Sequence, residues 1–130
     1  MAAIALVQLK YLDEDNKYRR EIAKWYDKYL DINDKKIKRI AIAEGCESSR
    51  HLYIIDVNYR DELLIKLNEN GIFPGVHYRD NTEYSIYNCE KGCCPNAKYI
   101  SARIISLPMH LRLVEEDIKY ICEKINMYAK

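Results

Sequence analysis

Residues 71–84 read GIFPGVHYRDNTEY and residues 106–110 read SLPMH; these two stretches carry the side chains best suited to chemistry. His77 and Tyr78 can each hydrogen-bond a hydroxylated ligand, and the tyrosine ring adds a flat apolar face. Arg79 offers a planar fork of donors matched to phosphate or carboxylate. His51 heads an apolar run and reads equally as a histidine packed at a sheet end or as a further site residue. Polar and aromatic groups on a loop between periodic elements are where binding usually sits. The 71–84 loop is therefore expected to face a small-molecule site.

Other chemistries find less support. Cys89, Cys93 and Cys94 with His77 or His110 invite a zinc reading. Structural zinc sites, however, favour paired C-x2-4-C units, and adjacent cysteines do not easily point at one tetrahedral ion. The reading is free loop thiols and no metal. A Cys–His nucleophilic pair lacks any context that would activate a thiolate. The four glycines form neither G-x-G nor G-x-x-x-x-G-K, so no phosphate-cradling loop is present. A Schiff-base lysine needs a desolvated or charge-tuned amine, and every lysine here lies in a polar setting. No catalytic residue is assigned.

The bulk numbers bound the rest. A chain of 130 residues holds one core, and its 48% apolar and 32% charged residues describe a globular protein. The formal net charge of +1 gives no electrostatic case for nucleic acid or an anionic membrane surface. No window approaches the roughly 18 to 20 apolar residues of a membrane span. The opening MAAIALVQLKYL has no basic lead and is interrupted by Gln8 and Lys10, so it reads poorly as a secretory signal. Five cysteines, an odd number, fit a reducing cytoplasm better than a disulfide framework. Twelve tyrosines against one Phe and one Trp suit half-buried interfaces, though a compositional bias of the genome accounts for them as well.

The elements that would position the loop follow from periodicity. Residues 1–30 read as one long helix, with Ile4, Leu9, Leu12, Tyr18, Ile22, Trp25, Tyr26 and Tyr29 at three- and four-residue steps. Its first dozen residues are apolar nearly all round and open without a capping residue, which reads as a helix cut short rather than begun. A polar turn at 31–36 leads to an edge strand at 37–43, and 51–57, HLYIIDV, is the strongest strand. Asn58 is placed as the N-cap of a helix whose buried stripe is Leu63, Leu64 and Leu67, stopped by Asn70-Gly71. Residues 72–78 read as extended, 81–88 as a short helical turn, and 95–105 as a helix with Ala97, Ile100 and Ile104 on one face. The last helix spans 114–128, with Ile118, Ile121, Cys122 and Ile125 as its seam. The order α-β-β-α-β-α-α predicts an α+β fold: a long N-terminal helix plus a small antiparallel sheet with flanking helices.

Five collinear segments carry a resemblance: QLKYL at 8–12, SRHLYII at 49–55, RDELLIKL at 60–67, NGIFPGVHY at 70–78 and ISLPMH at 105–110. Together they resemble the C-terminal part of the DegT/DnrJ/EryC1/StrS sugar aminotransferases, over essentially the whole chain. HYRDNTEYSIY is similar to the branch with a Y-x-x-N-x-x-Y loop in place of the commoner Y-P-x-P-x-H. The resemblance implies the small domain of a fold type I enzyme that uses pyridoxal phosphate (PLP). Such enzymes move an amino group from an amino acid such as glutamate to a nucleotide-linked keto-sugar, and work as homodimers. It implies substrate contacts for His77, Tyr78, Arg79 and Asn81, and matches His51 to the family's strand-leading histidine.

The PLP lysine and cofactor contacts belong to the family's large domain, and no S-x-x-K match occurs here. The resemblance thus implies residues 1–30 as a connecting helix at an interface and 31–130 as the small domain. The chain alone is expected to bind no PLP and to be inactive, its bare first helix driving self-association. The competing expectation is a non-catalytic binding or association module that pairs with a separate large-domain chain.

Overall fold

The computed structural model describes residues 2–33, 35–90 and 92–130. The described residues form five α-helices and a three-stranded antiparallel sheet, the α+β arrangement anticipated from the pattern. The helices are α1 (Ala2–Leu9), α2 (Leu12–Tyr29), α3 (Arg60–Glu69), α4 (Pro95–Ser101) and α5 (Glu115–Tyr128). The strands are β1 (Ile37–Arg39), β2 (Tyr53–Val57) and β3 (Ile104–Leu107), in spatial order β1-β2-β3.

The core forms where α2 and α5 lie over the sheet. The α2 residues Ile22, Ala23 and Tyr26 are buried among the α5 seam Ile118, Ile121, Cys122 and Ile125. In β2 the side chains alternate, with Tyr53, Ile55 and Val57 buried beneath the helices. Tyr26 is fully buried, its ring 4.7 Å from that of Tyr53, and its hydroxyl donates to the Pro108 carbonyl at 2.8 Å. The Tyr53 hydroxyl donates in turn to Asp27 at 2.6 Å, which also accepts from Arg39 at 2.7 Å. Each large aromatic thus buries its body and satisfies its polar tip. At the start of α5, the Asp117 carboxylate accepts from the Val114 N–H at 3.0 Å, satisfying one orphan donor of that helix end.

Five expectations need correction. The helix of residues 1–30 is two helices, broken by tight i→i−3 bonds from Lys10 and Tyr11 to Val7 and Gln8. Nothing holds the two collinear, because α1 buries no residue at all. The expected start at Met1 lies outside the described residues. The helix expected over 95–105 ends at Ser101, and residues 104–107 form β3 instead. All four β3 residues are buried against β2, through Tyr53↔Leu107, Ile54↔Ser106, Ile55↔Ile105 and Asp56↔Ile104. Ladder bonds and burial on both faces outweigh a helical period that left Ala97 and Ile100 exposed.

The extended 72–78 stretch contributes only one bridge, Gly75 to Ser106, with bonds of 2.9 and 2.8 Å. The next bonded pair on that side would set Phe73 opposite Pro108, which has no N–H to extend the ladder. The edge strand of 37–43 shortens to β1. Lastly, Asn58 does not cap α3. Its amide donates to the Lys35 carbonyl and its oxygen accepts from Arg103, while Tyr59 precedes the helix in the left-handed conformation. The stop of α3 is as expected: Gly71 has φ +73°, and bonds from Gly71 to Asn68 and from Ile72 to Leu67 close a Schellman motif.

Two predictions follow from the buried phenols and thiol. Tyr26→Phe should cost about 1–2 kcal/mol by orphaning the Pro108 carbonyl, and Tyr26→Ala about 3–5 kcal/mol by adding a cavity; urea unfolding separates the two. Burial pushes the Cys122 thiol up to about 12 and raises the Tyr26 and Tyr53 phenols above their ordinary value. Between about pH 9 and 12 the folded chain therefore holds protons that the unfolded chain releases, and its stability should fall as pH rises through that window. Urea midpoints across that range should drop for the wild type and drop less for Cys122→Ala; a flat alkaline limb would contradict this.

Candidate functional site

After the Gly75–Ser106 bridge the chain leaves the sheet and builds a wall facing α4. Gly75 is needed at the turn-off: a Cβ there would stand 2.6 Å from Cε1 of His77, whose ring folds back over the backbone. His77 is half-buried, meets Tyr78 edge-on at 5.1 Å, and has a buried Nδ1 without a partner among the described residues. Tyr78 is 74% exposed.

The next residues fold into two 3₁₀ turns, Asn81–Glu83 and Ser85–Tyr87, where one short helical turn was anticipated. Asp80 begins the first. Its Oδ1 accepts from the Thr82 N–H at 2.9 Å and the Thr82 hydroxyl at 2.8 Å, the local bonding that makes Asp a turn former. The residue is only 5% exposed, and its Oδ2 has no partner among the described residues. Arg79 extends outward, donating to Glu83 at 3.1 Å with its guanidinium 5.3 Å from the Tyr84 ring centre.

Two clefts flank this wall. One, about 570 Å³, lies among Arg79, Asp80, Glu83, Tyr84, Cys94 and Lys98. The other, about 720 Å³, is bordered by Val76, Tyr78, Asn81, Ala97 and Ile100. Among the described residues Lys98 enters no ion pair. Lys98 and the outward Arg79 give the first cleft two cationic donors, and Tyr78 gives the second an open aromatic face. Such a surface can take a phosphate or carboxylate beside a flat or hydroxylated group.

Of the residues singled out from sequence, the structure brings His77, Tyr78, Arg79 and Asn81 together on one wall. It does not bring His51 there. The register Tyr53↔Leu107 leaves His51 beyond the Leu107 end of β3, while the chain beyond Gly75 runs antiparallel to β3, towards its Ile104 end. His51 is exposed at that opposite end. Sequence reasoning missed Asp80 and Lys98. Asp80-Asn81-Thr82 is a legible turn signature, but the burial of its carboxylate is not; Lys98 is one of the cleft residues only because the 79–94 loop folds back against α4.

No group of three or more His, Cys, Asp or Glu side chains among the described residues is arranged to hold a metal ion. No described helix is long and apolar enough to cross a membrane.

The DegT/DnrJ/EryC1/StrS aminotransferase family model matches residues 1–126. A dTDP-3-amino-3,6-dideoxy-alpha-D-galactopyranose transaminase of Aneurinibacillus thermoaerophilus is 29% identical over 98% of this chain and 35% of its own length. A UDP-4-amino-4,6-dideoxy-N-acetyl-beta-L-altrosamine transaminase of Campylobacter jejuni is 33% identical over 92% of this chain and 33% of its own. A Streptococcus pneumoniae protein described as a sugar aminotransferase, solved in apo, PMP and PLP forms, superposes with a TM-score of 0.88 at 30% identity. That superposition covers 98% of this chain and 34% of the other. The chain thus spans about a third of the length of the relatives it matches.

The described lysines do not suit covalent attachment of PLP. A Schiff-base amine must shed its proton near neutrality, which takes desolvation or a neighbouring cation. Every described lysine is exposed except the half-buried Lys124, which donates to Glu123 at 3.2 Å. Hydrogen bonds raise Lys28 (to Tyr29 and Glu115), Lys66 (to Glu69), Lys124 (to Glu123) and Lys130 (to Glu62) above the ordinary lysine value.

The close approach at Gly75 yields a test. Gly75→Ala should displace the His77 imidazole and cost about 1–2 kcal/mol, whereas the same change in a His77→Ala background should cost much less. A double-mutant cycle by urea unfolding, with the His77 ring signals followed by NMR, measures the coupling; additive effects would contradict the contact.

Proposed function

The chain belongs to the DegT/DnrJ/EryC1/StrS aminotransferase family, and from that premise we propose that it is the small C-terminal domain of a PLP-dependent nucleotide-sugar aminotransferase. In this reading residues 31–130 form the domain and residues 1–30 are the connecting helices at an interface. The parent enzyme moves an amino group from an amino acid such as glutamate onto a nucleotide-linked keto-sugar, as a homodimer in the cytoplasm. One observation carries the reading: almost the whole chain aligns with one third of a sugar aminotransferase.

The residues divide the work accordingly. Arg79 holds a phosphate or carboxylate oxygen of the substrate through its outward fork. Tyr78 covers a flat or hydroxylated part of the ligand, and Asn81 supplies a donor and an acceptor at the start of its 3₁₀ turn. His77, folded over Gly75, fixes the direction from which the loop approaches. His51 meets the ligand only in the assembled enzyme, where another chain or domain bridges the two ends of β3. The remaining two thirds of the enzyme, on the same or a separate chain, supply the amine that carries PLP. By itself the chain is a substrate wall without the group that does the chemistry.

A second reading, a non-catalytic module that pairs with a separate large-domain chain, draws on α1. Ile4, Leu6, Val7 and Leu9 are exposed there together, an apolar surface suited to a partner.

The test is an NMR titration of the chain with UDP- and dTDP-linked hexoses, beside PLP plus glutamate. Shifts should gather on residues 75–84 and weaken at least about fivefold in Arg79→Ala, the order expected for one charged hydrogen bond. No stoichiometric lysine-aldimine absorbance should develop. Shifts confined to α1 or absent favour the association module, and an aldimine band in the isolated chain defeats the assignment of the cofactor amine to another region.

A further inference from the structure

We propose that the first cleft selects an aminated sugar phosphate, taking its ammonium group at Asp80 and its phosphate at Lys98. The inference deepens the aminotransferase reading and rests on it for the ligand. Asp80 separates the aminated nucleotide sugar from its keto or hydroxyl counterpart.

The charges that line this cleft of about 570 Å³ are unevenly matched. Among the described residues they are Arg79, Asp80, Glu83 and Lys98. Arg79 and Glu83 satisfy each other at 3.1 Å. The other two do not meet. Asp80 Oδ2 has no partner and Lys98 enters no ion pair among the described residues, although both border the same space. One cation and one anion held apart across a cleft are the complement of a ligand that carries both signs.

Local bonding keeps the two apart. Asp80 Oδ1 accepts from the Thr82 N–H at 2.9 Å and from the Thr82 hydroxyl at 2.8 Å. Turning the carboxylate towards Lys98 would break both bonds, which also hold the turn. Lys98 is anchored through its backbone in α4. Its N–H donates to the Cys94 carbonyl at 3.1 Å, and its carbonyl accepts from the Ala102 N–H at 3.2 Å and the Ser101 hydroxyl at 3.1 Å. Its side chain is exposed.

The chemistry of Asp80 decides which ligand gains. The residue is 5% exposed, and a buried carboxylate with an unmatched oxygen is costly until a donor reaches it. An ammonium group supplies three donors and the opposite charge; a hydroxyl supplies one donor and no charge. Because Asp80 lies below the rim, a compact ammonium suits it better than a bulky, neutral acetamide. A sugar phosphate without an amine meets only the repulsion of its phosphate by the carboxylate. Asp80 also borders the second cleft, about 720 Å³, where the exposed Tyr78 ring and Asn81 leave room for the rest of a nucleotide sugar.

The test is an NMR titration of the full chain with two matched pairs, at a pH where the sugar amine is charged. The pairs are glucosamine 6-phosphate against glucose 6-phosphate, and UDP-glucosamine against UDP-glucose, with glutamate beside them. The aminated member of each pair should bind at least about tenfold more tightly, the order expected for a hydrogen bond between charged groups. Asp80→Asn, which keeps a turn-forming side chain, should bring each ratio to about one without weakening the partner that lacks the amine. Lys98→Ala should weaken both members alike and leave the ratio intact. The wild-type ratios decide the matter even if Asp80→Asn fails to fold. The proposal fails if those ratios are near one, if nothing binds, or if glutamate binds more tightly than the aminated sugar phosphates. It also fails if Asp80→Asn and Lys98→Ala are strongly non-additive in urea unfolding, since the two side chains would then pair with each other. Equal binding of UDP-glucose and UDP-glucosamine at residues 75–84 overturns this inference and leaves the aminotransferase reading standing. Selective binding of glucosamine 6-phosphate with neither UDP-hexose bound does the reverse.

Discussion

The fold turns on a buried phenol that must reach a hydrogen-bond acceptor. Tyr26 lies at full burial between α2, α5 and the sheet, where an unmatched hydroxyl is costly. Its acceptor is the carbonyl of Pro108, in the SLPMH segment immediately after β3. That one bond fixes where the chain leaves the sheet, and so the register in which residues 104–107 pair with β2. The stack of Tyr26 on Tyr53 and the Tyr53–Asp27–Arg39 chain extend the constraint to β1. Because Ser106 also bonds Gly75, the same register sets where the 75–84 loop departs. The position of the candidate wall is thus inherited from a core contact far from it in sequence.

The wall differs from the core in how its polar groups are satisfied. In the core the buried Tyr26 and Tyr53 hydroxyls each find a partner. On and beside the wall, His77 Nδ1, Asp80 Oδ2 and Ser106 Oγ are buried without one among the described residues. Buried polar atoms are normally paired, so a group of three along one bridge and its loop is the pattern of a surface completed by something else. Exposed Tyr78, Ile86 and Phe73 around the same loop point the same way. A bound ligand or a further protein surface would supply both the missing partners and the missing cover.

The legible parts of the chain share a property: their signals are local. Helix α5 announced itself by its seam and acidic first turn, the end of α3 by Asn70-Gly71, and β2 by its β-branched and aromatic run. His77, Tyr78, Arg79 and Asn81 were legible as a set because they are consecutive or nearly so. The misreadings all involve a distant partner. Residues 104–107 look helical until β2 is beside them. Asn58 looks like a cap until Lys35 and Arg103 claim its amide. Residues 1–30 look like one helix until it is seen that no core meets residues 2–9.

By itself, then, the sequence determined the α+β class, the family, the loop that holds the candidate contacts and the lack of a lysine in the family's S-x-x-K setting. These rest on residue type, short-range period and collinear motifs, which need no knowledge of what packs against what. Only the tertiary structure decided that β3 exists, that Asp80 is buried with one oxygen unpaired, that Lys98 borders the cleft, and that His51 lies at the wrong end of β3 to join His77. Each of these depends on strand pairing or burial between residues far apart in the chain. Free energy of that kind is set by the neighbours a side chain acquires on folding, and a one-dimensional pattern does not record them.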